Sequence, residues 1–163
     1  MSEPIVFVPY NFISDEAAAF PNIKNNYLKN IFMTNNSSNM KLPLEYEEEK
    51  NIPIEMRMRK WSTAVVKSVY KERFTELLEI INSYDPIGML SIGAEEEEYD
   101  LEVRTIIVQL DNYMTVSEIY NLVRNEFILW FSKDIVVVRE KIYKSMAEDI
   151  HRWIKNKRLE FNL

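Results

Sequence analysis

Two glycines in 163 residues, at positions 88 and 93, constrain this chain more than any other feature. Average usage is about 7%, so a chain this long would ordinarily carry several times as many. Phosphate-cradling loops of nucleotide-binding folds need several glycines at fixed spacing, and these are absent. A turn-rich all-β architecture also draws on glycine for its positive-φ positions, and is disfavoured for the same reason. Helices joined by short connections remain.

The distribution of apolar residues agrees from Trp61 onward. Val66, Val69, Tyr70, Phe74, Leu77, Ile80, Ile81 and Tyr84 recur at three- and four-residue steps, one apolar face of a helix. That helix should stop near Asp85-Pro86, because the residue before a proline is pushed out of the α region. A second helix over Glu98 to Leu110 presents Val103, Ile106, Ile107 and Leu110. Thr115-Val116-Ser117-Glu118 has the form of a capping box opening a third, with Ile119, Tyr120, Val123, Phe127, Trp130 and Phe131 on its face. A fourth, from about Val136 to Arg158, presents Val138, Ile142, Met146, Ile150, Trp153 and Ile154. It ends in Arg152, Lys155, Lys157 and Arg158, which suit the negative end of the helix dipole.

The first sixty residues follow another pattern. Ile5 to Val8, between Pro4 and Pro9, has strand character, and Ser14-Asp15-Glu16 with three alanines has that of a short capped helix stopped by Pro21. Asn22 to Asn39 is asparagine-rich with a loop-like tail, and Glu45 to Lys50 is a solvated charge run. Ile54, Met56 and Met58 alternate with charged residues, which predicts a half-buried strand able to pair with Ile5 to Val8. The expected fold is mainly α: one domain over 1–163, with a small irregular, β-containing segment over 1–60 and a compact bundle of about four long helices over 61–160.

Composition narrows function by exclusion. With no cysteine there is no disulfide, thiolate zinc site or cysteine nucleophile, which fits a reducing, cytoplasmic setting. The N-terminus, MSEPIVFVPYNF, lacks the basic start of a signal peptide, and no apolar run reaches the ~18 residues of a membrane span. A net charge of −6 disfavours nucleic acid and anionic lipid as partners. No alternation of basic and aromatic residues marks a single-strand platform, although Arg57, Arg59 and Lys60 could join the basic C-terminal turn in a positive patch. His151 is the single histidine. Glu148-x-x-His151 is half of a di-iron motif whose other half does not exist, and no serine sits in a glycine-flanked elbow. No catalytic residue, cofactor or metal site is assigned.

The residues left for function lie in the loop from Asp85 to Asp100. Asp85-Pro86-Ile87-Gly88 is turn chemistry, and Glu95, Glu96, Glu97 and Glu98 lead into a helix whose N-terminal dipole favours negative charge. The interaction set expected from sequence is Asp85, Gly88, Glu95, Glu96, Glu97, Glu98 and Asp100, an acidic edge for a basic protein partner. The alternative is an enzyme or metal-binding protein using carboxylates alone, with Asp85, Glu98, Asp100 and Glu102 as its candidates, although consecutive glutamates lack the ligand alternation of a calcium loop. A structural or phage accessory domain acting by oligomerisation is a third reading.

Residues 77–131 resemble the YugE-like family of small bacterial proteins. The resemblance runs through Asp85, Pro86, Ile87 and Gly88 ending one helix, and Glu98, Tyr99 and Asp100 opening the next. It implies a helical fold for this stretch and no reaction. Related domains look like ones found beside bacterial toxin genes as candidate immunity proteins, and the function this resemblance implies is a non-enzymatic binding module of immunity or antitoxin type.

Overall fold

The computed structural model describes residues 54–157, together with Glu45, Glu48, Asn51 and Ile52. The strand at Ile5 to Val8, the short helix before Pro21, the asparagine-rich stretch and Arg158 lie outside the described residues. Within them the chain is all-α, with six helices: α1 (Ile54–Tyr70), α2 (Glu72–Tyr84), α3 (Asp100–Ile107), α4 (Val116–Phe131), α5 (Lys133–Val138) and α6 (Glu140–Lys157). Two 3-10 turns, Leu90–Ile92 and Glu96–Tyr99, fill the connection between α2 and α3. No helix among the described residues is long and apolar enough to cross a membrane.

Three expectations are corrected. The alternating stretch from Ile54 belongs to α1, not to a strand. Residues 55–60 are glutamate, methionine, arginine and lysine, all good helix formers, and a short alternation does not outweigh propensity continuous with the helix beyond. The long helix from Trp61 to Tyr84 is broken at Lys71, whose φ of 50° lets α1 and α2 diverge. The last helix is likewise two. Arg139 interrupts it, leaving Val138 86% exposed and the buried face of α6 carried by Tyr143, Met146, Ala147, Ile150, Trp153 and Ile154.

Other boundaries follow the sequence closely. α2 ends at Tyr84, with Asp85 in the left-handed region and its N–H on the carbonyls of Ile81 and Asn82. The capping box at α4 forms: Thr115 Oγ1 accepts from the Glu118 N–H, and the Glu118 carboxylate accepts from the Thr115 N–H at 2.7 Å. The core lies around α3, where every residue from Glu102 to Val108 is buried. α1, α2 and α4 pack around it, and α6 packs on α4 and α2. Phe127 of α4 lies between Tyr99, Phe131 and Tyr143, with ring centroids 5.6–5.8 Å apart.

Candidate functional site

The connection between α2 and α3 is organised by Asp85. Its carboxylate accepts from the Leu90 N–H at 3.1 Å, the Ser91 N–H at 2.9 Å, the Ser91 hydroxyl at 2.5 Å and the Tyr99 hydroxyl at 2.6 Å. Burial alone would push this carboxyl up, but the hydrogen bonds from Ser91, Tyr99 and Leu90 outweigh it and hold the group at about 2. Tyr99 is fully buried, and its oxygen also accepts from the N–H groups of Ile87 and Met89. Gly88 has a φ of 89°, and a Cβ there would meet the Arg139 guanidinium at 2.9 Å. That guanidinium donates to the Asp85 carbonyl at 3.0 Å, pinning the loop to the break between α5 and α6.

Asp85 and Gly88 therefore shape the loop. The acidic residues beyond them stand differently. Glu95 to Glu98 are all exposed, and their side chains form no hydrogen bond or ion pair among the described residues. The Glu96 carbonyl accepts from Asn82 Nδ2 at 2.9 Å, which ties the turn to α2 while leaving the carboxylates outside.

Glu95, Glu97, Glu98 and Asp100, with Leu101, form one wall of a groove of about 800 Å³. The facing wall is α1, which contributes Met56, Arg59, Lys60, Thr63, Ala64 and Lys67 at three- and four-residue steps. Met56 is 53% exposed and gives the groove an apolar element at one end. At the other, Lys67 Nζ meets Asp100 Oδ2 at 2.5 Å. Burial raises the Asp100 carboxyl against the lowering effect of Lys67, and its Oδ1 is buried with no hydrogen-bond partner. Arg59 lies over the Trp130 ring, 4.8 Å from its centroid.

Glu102 does not reach this groove. It is 3% exposed, inside the polar part of the core beside fully buried Arg104. Arg104 donates to Ser62 Oγ, and Glu126 accepts from Thr105 Oγ1 and, at 2.7 Å, from Trp130 Nε1. Burial pushes the Glu102 carboxyl up to about 7; Glu126 and Glu98 act in the same direction, while its own backbone N–H and Arg104 oppose. Glu98 and Asp100 thus share the groove wall, while Asp85 lies at the base of the loop and Glu102 in the core. Among the described residues, no three His, Cys, Asp or Glu side chains are grouped to hold a metal ion.

The described basic residues of the C-terminal turn find partners outside α1. Lys157 pairs with Glu76 at 2.5 Å, Arg152 with Asp149 at 2.7 Å, and Lys155 donates to the Asn112 carbonyl. Sequence reasoning singled out the acidic wall but not Met56, Thr63, Ala64, Lys67 or Leu101. The signal for the α1 wall was present as the spacing 56, 59/60, 63/64, 67, once residues 54–60 are taken as helix.

The chain matches no protein-family model, no curated protein and no solved structure.

Proposed function

We propose that this chain is a non-enzymatic protein-binding module that engages and blocks a basic partner through the acidic rim of the groove. One observation carries the reading. Glu95, Glu97 and Glu98 line a groove and form no ion pair among the described residues, on a loop fixed at its base by Asp85, Tyr99 and Arg139. An exposed charge cluster on a rigid support loses little conformational freedom on association, and its field speeds encounter with a cationic surface. The resemblance over residues 77–131 supports the immunity- or antitoxin-like form of this reading.

The test is site-specific cross-linking in the native host. A photo-reactive residue replacing Glu96 should capture a discrete protein, and capture should fall when Glu95, Glu97 and Glu98 are all changed to glutamine. The same probe at Glu148, an exposed position on α6, should not capture it. Equal capture from both positions, or none from Glu96, would refute the proposal.

A further inference from the structure

The groove's walls differ in how their charges are used, and that difference selects a ligand. On α1, Lys67 is ion-paired to Asp100 and Arg59 lies over Trp130, and with Lys60 this wall carries three cationic side chains against the four carboxylates facing it. On the facing wall the glutamates have no such partner among the described residues. The net demand of the groove is for positive charge. Between the walls Met56, Ala64 and Leu101 supply apolar contact, and methionine adapts to ligands of varied shape.

The α1 wall also sets a length. Met56 to Lys67 spans about 16 Å at 1.5 Å per residue, three turns of helix. The described residues contain no strand, so an extended peptide here would find no sheet edge for its backbone groups. A helix meets its own backbone demand and presents side chains at the spacing of the α1 wall.

Resting on the binding-module reading above, we infer that the groove takes a basic amphipathic helical segment of the partner protein. Its apolar face lies on Met56, Ala64 and Leu101, and its lysines or arginines face Glu95, Glu97 and Glu98.

The test uses the full chain and fluorescence anisotropy with a dye-labelled leucine–lysine peptide about four turns long, designed as an amphipathic helix. Saturable binding is expected, weakened roughly tenfold or more in the E95Q/E97Q/E98Q variant and in Met56→Asp. Asp134→Asn with Glu148→Gln, which neutralises exposed carboxylates elsewhere, should leave it unchanged. Met56→Gln serves if Met56→Asp does not fold, as judged by circular dichroism. Equal loss in the distant variant would show only general charge attraction and overturn the inference. So would equal binding of a peptide with the same composition but no apolar face. A protein that binds no peptide but forms a dimer abolished by E95Q/E97Q/E98Q would place a second copy in the groove, and also overturns it. If the peptide fails while Glu96 still cross-links a charge-dependent partner, the helical ligand is wrong and the binding module stands. Failure of both removes both.

Discussion

Two carboxylates seventeen positions apart in the chain, Asp85 and Glu102, show how environment decides what a residue does. Asp85 accepts four hydrogen bonds and is held at about 2, so its contribution to stability is present at neutral pH and disappears as pH falls through its depressed folded value. Asp85→Ala leaves the amides of Leu90 and Ser91 and the Tyr99 hydroxyl without their acceptor, and should cost about 2–4 kcal/mol in urea unfolding. Glu102 has the opposite sign. Its carboxyl is raised from 4.5 to about 7, so the folded state binds a proton more readily than the unfolded chain. Its contribution is complete below about 4.5 and is lost as pH rises through 7. Glu102→Gln keeps the neutral form at every pH. Relative to that variant, the native chain should lose roughly 2–3 kcal/mol between pH 5 and pH 8. Urea midpoints at the two pH values check this, and parallel pH profiles would contradict it.

Helix existence was legible at the level of elements because apolar spacing is set by packing, and packing dominates helix stability in proteins. Val103, Ile106, Ile107, Ile119, Val123 and Phe127 were all expected on core faces and all are fully buried. Helix breaks were not legible. Lys71 and Arg139 carry no proline or glycine signal, and the helices on either side of each break share a neighbour, α3 for α1 and α2 and α4 for α5 and α6. The buried polar group was equally hidden. Glu102, Arg104, Thr105 and Glu126 look like solvated positions in the sequence, and only enclosure of α3 on every side brings them together with Ser62 and Trp130. The acidic half of the candidate site could be found from composition, but its α1 half depended on assigning residues 54–60 to a helix. The junction of α4 and α5 also carries an unfavourable backbone conformation. Ser132 joins α4 to α5 with φ 111° and ψ 156°, a region that essentially only glycine visits freely. Its side chain is exposed, so Ser132→Gly should raise stability by about 1 kcal/mol, seen as a higher melting temperature. A fall would mean that the hydroxyl contributes more than the backbone loses.

At the scale of the whole molecule, the charge distribution sets folding against association. The chain carries a formal net charge of −6, and four consecutive glutamates stand exposed, three of them on one rim of a groove. Two effects act on them within the fold. Three lie in the first turn of the Glu96–Tyr99 segment leading into α3, where each gains at most about 0.3–1 kcal/mol from the helix N-terminus. Against this stands their mutual repulsion and that of the remaining net charge, which salt weakens once the Debye length falls below their separation. The ion pairs that salt would also weaken, Lys67–Asp100 and Lys157–Glu76, are partly exposed and contribute about 0–1 kcal/mol each. Repulsion should therefore win at low ionic strength. Raising sodium chloride from about 0.01 M to about 0.5 M should raise the melting temperature by a few degrees. In E95Q/E97Q/E98Q, which halves the net charge and clears most of the rim, the rise should be about half as large. The opposite ordering, with the native chain losing stability in salt, would mean that the glutamates are stabilised by cations within the fold. They would then not be free to meet a basic partner. The same salt titration thus bears on stability and on binding, because an unpaired acidic rim that opposes the fold is the one available to a cationic ligand.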